Sequence, residues 1–224
     1  MIPFHIPTPQ GCNIQTFYGA STVTGNDTIN WRTWNKPVGV SHVYMMLIGG
    51  GGQGTDAISG GSGAVTVWYG AAQHVPDVLQ VWSRGPFTTT GGPSEVAYKS
   101  RTANFVTLLK AGSSVNQSAG QADAANYFAA SGFYQSVDGQ TGNNDDPMSP
   151  STTTFLSAGA GTSTGRVNGN YGYTAGGTTN GGYFQLQPII VGVGSNRQER
   201  SAIGCGARVN GNDNGAGMVL IASW

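Results

Sequence analysis

Hydrophobic and polar positions along the first half of the chain follow the short, repeated pattern of β-strands. The apolar run Val43–Ile48 predicts a buried strand. Other short runs rich in β-favouring residues are separated by glycine, proline and asparagine turns. These runs are Asn13–Ala20, Ile29–Trp34, Ala64–Tyr69, Val75–Arg84, Glu95–Tyr98 and Asn104–Lys110. Their spacing predicts an all-β fold: an antiparallel β-sandwich, jelly-roll-like, with long glycine-rich loops and very little helix.

The second half of the chain alternates between glycine-rich polar segments and apolar runs. Residues 120–130 (GQADAANYFAA) form the one candidate helix, of one or two turns. Residues 138–151 have the composition of a surface loop, and residues 159–182 contain too much glycine for a helix or a strand interior. Tyr183–Val193 and Met218–Trp224 are apolar again, and we expect the last of these runs to pair within a sheet.

Four consecutive glycines, Gly49–Gly52, follow the strand predicted at Val43–Ile48. Gly49, Gly51 and Gly54 match the G-x-G-x-x-G pattern of dinucleotide sites, which requires a helix opening at the last glycine. Three more glycines follow within residues 55–63, and glycine disfavours a helix interior by about 1 kcal/mol relative to alanine. We therefore interpret this segment as a mobile or tightly turned loop between two strands.

Composition places the chain among folded proteins with a neutral surface. Glycine accounts for 37 of 224 residues, more than twice the usual ~7%, and charged residues are far below the usual ~25%. Disordered chains are poor in aromatic residues, whereas this chain has five Trp, nine Tyr and eight Phe. The remaining surface is expected to be rich in hydroxyl and amide groups.

The net charge of zero and the absence of a Lys/Arg cluster argue against nucleic-acid binding. No apolar segment is long enough to span a bilayer, and the first residues lack the charge and apolar region of a signal peptide. We therefore expect synthesis in a cytoplasm without membrane insertion. For the two cysteines, Cys12 and Cys205, free thiols are favoured over a disulfide.

Residues 1–11 are predicted to form an extended arm that precedes a single domain, residues 12–224. Three prolines within residues 3–9 preclude a regular helix and fit poorly in a central strand. Such an arm can lie across a neighbouring subunit through Ile2, Phe4 and Ile6, or it can cover its own domain as a simple strand. Both alternatives remain open at this point.

Candidate catalytic and metal-binding motifs lack the structural context that their chemistry needs. Gly161–Gly165 matches G-x-S-x-G, but no helix is predicted after Ser163 to complete a nucleophile elbow. Asp145 and Asp146 offer oxygen ligands without the spacing of a calcium loop, so a solvated acidic loop is preferred. No Cys/His pair has zinc spacing. We expect neither enzyme activity nor a cofactor.

Aromatic residues among the glycines offer a different kind of site. Tyr171, Tyr173 and Tyr183 lie in glycine-rich segments and could stack on sugar rings of a receptor. The alternative is that they pack against their own loops.

Several motifs, taken in order, resemble the glycine-rich domains of bacteriophage tail-fibre and virion-surface proteins. Trp34–Gly39 has the pattern W-x-K-P-x-G and precedes the apolar strand that ends in Gly49–Gly52. The chain closes, as those domains do, with glycine clusters and a short apolar strand with a terminal aromatic residue, Gly204–Gly206 and then Gly215–Trp224. The likeness covers residues ~30–224. Further matching segments are Thr107–Gly112, Gly132–Ser136, Thr154–Gly159 and Pro188–Gly194.

This resemblance implies a non-enzymatic structural protein on the surface of a phage particle, such as a head decoration, spike or cement subunit. Its partners would then be other copies of itself and other virion proteins, and we expect a multimer. The alternative is a tail-fibre or spike adhesin that binds a host-cell glycan or an outer-membrane receptor.

Overall fold

The computed structural model describes residues 11–19, 31–55, 58, 60–83, 93–101, 104–139, 141–142, 190–191, 198–199, 203–204, 206 and 215–224. The strands in this part of the chain are β1 (Asn13–Tyr18), β2 (Arg32–Asn35), β3 (His42–Ile48), β4 (Val65–Ala71), β5 (Val78–Trp82), β6 (Ser94–Lys99), β7 (Phe105–Ala111), β8 (Phe133–Val137), β9 (Ile190–Val191), β10 (Gln198–Glu199) and β11 (Met218–Ser223).

Two antiparallel sheets contain most of these strands. One has five strands in the order β1-β11-β3-β4-β8, and the other has four in the order β2-β5-β6-β7. The short strands β9 and β10 pair with each other. Helical residues in the described ranges are confined to single 3₁₀ turns at Ala72–His74 and Ala129–Ser131. The prediction of an antiparallel all-β sandwich with very little helix is confirmed.

The hydrophobic core lies between the two sheets. Every second residue of β3 points inward, so that Val43, Met45 and Leu47 are fully buried. The facing sheet contributes Trp34, Leu79, Val81, Val96 and Leu109 to the same core. Burying a large apolar side chain contributes about 1.5–3 kcal/mol. Alternation along the strands therefore sets which face of each sheet packs inward.

The candidate helix at residues 120–130, of one or two turns, is present only as a single 3₁₀ turn at its end, Ala129–Ser131. The residues before this turn contact the free edge of β7. The carboxylate of Asp123 accepts a hydrogen bond from the backbone N–H of Lys110 (3.0 Å), and the side-chain amide of Asn126 donates to the carbonyl of Leu108 (2.9 Å). These contacts satisfy backbone groups of an edge strand that would otherwise be open to pairing.

Glycine-rich segments pack against one another at one end of the sandwich, beyond the end of β3 and the start of β4. We call this arrangement the glycine layer and define it as residues 49–54, 60–64, 112–121, 139, 141–142, 203–204, 206 and 215–217. Backbone hydrogen bonds join these segments: Gly51 N–H donates to Gly215 O (2.9 Å), Gly63 N–H to Gly204 O (2.8 Å) and Gly139 N–H to Gly120 O (2.8 Å). The layer is thus held by its main chain.

Glycine is required in this layer by the close approach of backbones. A Cβ atom on Gly49 would lie well inside 3.0 Å of the Gly112 carbonyl, and one on Gly63 would collide with Gly49. Gly49, Gly63 and Gly112 do not have a φ in the left-handed region, so other residues could adopt their backbone conformation. Gly39 is the opposite case, because its φ of +83° needs glycine while no atom crowds its Cβ position.

The loop predicted after Val43–Ile48 therefore exists, but it is not a surface loop. Gly49–Gly52 are buried, and the two arms of the loop are bonded to each other through Gly49 N–H to Ala64 O and Gly52 N–H to Gly61 O, both at 2.9 Å. Its turn closes near the tip, where Thr55 N–H donates to Ile58 O (2.8 Å).

Candidate functional site

The glycine run does not form a nucleotide site. A phosphate-binding loop presents free backbone N–H groups at the start of a helix. Here a strand, β4, follows the loop, and the N–H groups of Gly49, Gly51 and Gly52 donate to backbone carbonyls. The N–H of Gly50 donates to the Ser113 hydroxyl (3.0 Å). The preference for a loop over a dinucleotide site agrees with this geometry.

Several residues singled out in the sequence lie outside the described residues, so their roles stay predictions. They are the arm residues Ile2, Phe4 and Ile6, the loop tyrosines Tyr171, Tyr173 and Tyr183, and Ser163, Asp145, Asp146 and Cys205. Cys12 is described, and its thiol is free and half-buried.

Within the described ranges, no three His, Cys, Asp or Glu side chains gather where a metal ion could bind. In the same part of the chain, no helix has the length and apolar character to cross a membrane. The search for a site therefore turns to the exposed faces of the two sheets.

The outer face of the five-stranded sheet is uncharged and mostly apolar across all five strands. Strand pairing places its residues in three rows that run from β1 through β11, β3 and β4 to β8. The rows are Ile14, Ala222, Tyr44, Tyr69 and Phe133; then Thr16, Leu220, Met46, Val67 and Gln135; then Tyr18, Met218, Ile48, Val65 and Val137. None of these side chains is charged. We call this surface the apolar outer face.

Exposure of the apolar outer face is greatest on its edge strands, β1 and β8. In the central strands, Ile48, Val65 and Met218 are buried in a second hydrophobic cluster together with Ile203. Ile14 and Tyr18 of β1 are 43% and 47% exposed, Phe133 of β8 is 57% exposed, and the adjacent Tyr69 of β4 is 38% exposed. Exposed apolar patches mark sites of protein association.

Three aromatic rings are clustered at the end of this face that lies away from the glycine layer. His42, Tyr69 and Trp224 have ring centroids 5.6–6.1 Å apart and planes within 18° of parallel. Trp224 is fixed because its backbone exchanges hydrogen bonds with His42 (3.1 and 2.9 Å). The neighbouring Tyr44 is half-buried, and this burial raises its pKa to about 12, so its phenol stays neutral.

A second aromatic group lies on the outer face of the four-stranded sheet. The ring of Trp31, just before β2, stacks on the ring of Phe105 in β7, with centroids 4.7 Å apart and planes 7° from parallel. The Trp82 ring of β5 lies 6.1 Å from Trp31. We call Trp31, Trp82 and Phe105 the aromatic bridge, because β2 and β7 are opposite edges of the sheet.

Charged groups flank the aromatic bridge. Glu95 pairs with Trp82 on one side and with Lys110 on the other, where the ammonium lies 3.8 Å from its carboxylate. Burial raises the pKa of Glu95, and Lys110 offsets part of that rise. Burial also raises the pKa of Asp123, and the hydrogen bond from the Lys110 backbone offsets part of that rise. The site therefore contains two partly desolvated carboxyl groups.

Replacing Glu95 by glutamine is expected to raise the unfolding temperature at pH 7 by about 2 °C. Because the pKa of Glu95 is raised on folding, the folded state holds its proton more tightly, and stability falls as pH rises above the ordinary value of 4.5. Losing the ion pair with Lys110 costs little, because the two charged atoms are 3.8 Å apart and the Lys110 side chain is 46% exposed. Thermal unfolding from pH 4 to 7 checks this, since the difference between variant and wild type should grow with pH. A difference that is constant across this range would contradict the expectation.

Sequence patterns missed both groups of aromatic residues on the outer faces of the sheets. Trp31 and Phe105 are far apart in the sequence, and nothing local indicates that they meet. The apolar outer face had a signal, because Val43–Ile48 and Met218–Ala222 are apolar at every position, which is typical of strands covered on both faces.

Comparison with protein-family models and with curated proteins finds no match to this chain. Its function is therefore argued from these two surfaces and from the chemistry of their residues.

Proposed function

We propose that this chain is a non-enzymatic structural subunit on the surface of a bacteriophage particle, where it assembles with other copies of itself. The apolar outer face carries this proposal. One row of its uncharged side chains contains Ile14, Tyr69 and Phe133, which are 43%, 38% and 57% exposed. The location on a phage particle is proposed because Trp34–Gly52 and the C-terminal segment resemble virion-surface domains.

A second copy of the chain is the occupant that best fits this face. A surface without charges excludes no partner by repulsion, and a two-fold contact requires a patch that is complementary to itself. Apolar and aromatic rows meet that requirement, because tyrosine and phenylalanine dominate the centres of such interfaces. The protein's net charge of zero also leaves little repulsion between copies.

Replacing Phe133 by aspartate is expected to weaken self-association by at least about tenfold, because a buried interface must then desolvate an unpaired carboxylate. Native mass spectrometry and light scattering of the purified chain measure the oligomeric state. Tyr127→Asp is the matched control, since Tyr127 is 99% exposed and lies outside the three rows. Circular dichroism verifies that both variants remain folded.

A wild-type protein that is strictly monomeric at all concentrations would overturn the self-association. Quantitative mass spectrometry of purified particles tests the location separately. We expect many copies of the chain per particle, and its absence from particles would overturn the virion assignment.

An adhesin that binds a host glycan is the second candidate. The observation that favours it is the aromatic bridge, where the exposed ring of Phe105 and the half-buried ring of Trp31 lie on the same sheet face as carboxyl, amide and hydroxyl groups. A handful of copies per particle, together with binding of the purified chain to host cells, would favour this role over the structural one.

A further inference from the structure

The aromatic bridge spans the four-stranded sheet from edge to edge. Trp31 and Phe105 stack across the two central strands, and Phe105 remains 42% exposed. Beneath the rings, the same face has Ala97, which is fully buried although it lies outside the hydrophobic core between the sheets. The small alanine side chain leaves room for rings to lie over the sheet.

Polar side chains surround the bridge on this face. Ala97 pairs with Gln80 on one side and with Thr107 on the other. The Gln80 amide donates to the Thr33 hydroxyl (3.3 Å). Together with Glu95 and Lys110, the rim offers amide, hydroxyl, carboxylate and ammonium groups within one sheet face.

We propose that the aromatic bridge and its polar rim form a carbohydrate-binding site. The face of an aromatic ring is electrostatically negative, so it attracts the positively polarised C–H groups on the apolar face of a pyranose ring. Phe105, which is 42% exposed, supplies such a ring, and the half-buried Trp31 stacks on one of its faces. Gln80, Thr107 and Glu95 supply acceptors and donors for the hydroxyl groups at the sugar's edge, which give orientation and specificity.

The charges around the bridge favour a neutral sugar over a nucleic acid. Single-stranded nucleic acids also stack on aromatic residues, but they require a positively charged groove along their backbone. Here Lys110 is paired with Glu95, so that Lys99, opposite Phe105, is a single further cation rather than a charged groove, and the net charge of the chain is zero. The site is on the opposite sheet from the apolar outer face, so it does not depend on self-association.

An array of oligosaccharides from bacterial lipopolysaccharide cores and O-antigens, probed with the purified full chain, tests this proposal. We expect at least one glycan to bind, and Phe105→Ala to weaken that binding at least tenfold in calorimetric titration. Tyr127→Ala, which removes an exposed ring elsewhere, should leave the affinity unchanged. Because Phe105 is 42% exposed, its replacement should leave the fold intact, as circular dichroism can verify.

Glu95→Gln provides a second measurement, since it keeps the shape of the side chain while altering its hydrogen bonding. We expect it to weaken glycan binding and to change the preference among the arrayed sugars. The proposal is overturned if no glycan binds, or if binding is the same in Phe105→Ala. Binding of single-stranded DNA that is lost in Phe105→Ala would assign the rings to base stacking and would overturn it too. These measurements use the purified chain, so they are independent of the protein's location on a particle.

Discussion

Replacing Gly49 by alanine should destabilise the protein by about 3 kcal/mol or more, at the upper end of what an overpacked interior costs. The added methyl group would fall on the carbonyl of Gly112 and close to that of Ala111. Both are backbone atoms that cannot rotate away, so the clash can be relieved only by a shift of the main chain. That shift would disturb the hydrogen bond from Ala64 N–H to Gly112 O (2.8 Å). Chemical denaturation followed by tryptophan fluorescence measures the loss.

Gly50→Ala is the control for that experiment. Gly50 is the next residue in the same run, but a Cβ there would meet the Ser113 hydroxyl at 3.5 Å, an ordinary contact distance. We expect its stability to stay within about 1 kcal/mol of wild type. Equal losses for the two variants would contradict the view that close backbone approach is what demands glycine at position 49.

Replacing Trp68 by alanine should cost about 3–5 kcal/mol, the range found for large aromatic residues in cores. Trp68 is fully buried and stacks on Phe128 with centroids 4.7 Å apart. Its ring fits against Gly70 and Gly132, where any Cβ would collide with it. Its indole N–H has no hydrogen-bond partner among the described residues, so the expected loss comes from packing.

Tyr69→Ala serves as the comparison for Trp68, because it is the adjacent residue on the same strand and faces outward. At 38% exposure, its loss should cost far less stability in denaturant unfolding. If the two variants unfold at the same denaturant concentration, the assignment of Trp68 to the central packing is wrong.

Strands were predictable from sequence where apolar residues cluster between turn residues. The runs at Val43–Ile48 and Met218–Trp224 became β3 and β11 almost residue for residue. Strand β8, Phe133–Val137, was not assigned from its pattern, because it is short and its polar residues interrupt it. At residues 120–130 the helix is limited to a single turn, although the alanine-rich composition favours helix, because Asp123 and Asn126 bond to the edge of β7 instead.

The candidate sites were less predictable than the strands, for a physical reason. Composition shows that glycine is abundant, but it does not show which backbone segments approach one another. Gly49 and Gly112 are neighbours only because β3 and β7 belong to facing sheets. In the same way, the stacking of Trp31 on Phe105 depends on the strand order of a whole sheet and has no local signature.

The glycine layer also has a consequence for how fast the chain can fold. Its hydrogen bonds join residues that are distant in sequence, such as Gly63 with Gly204 and Gly51 with Gly215. These bonds can form only after β3, β4, β7 and β11 have paired in the correct register. Closing such long loops costs conformational entropy before any stabilising contact forms. We therefore expect slow refolding, with the layer forming last. Until then Ile48 of β3 and Met218 of β11, which pack against Ile203 of the layer, stay uncovered, and they mark the strand ends through which newly made chains would aggregate.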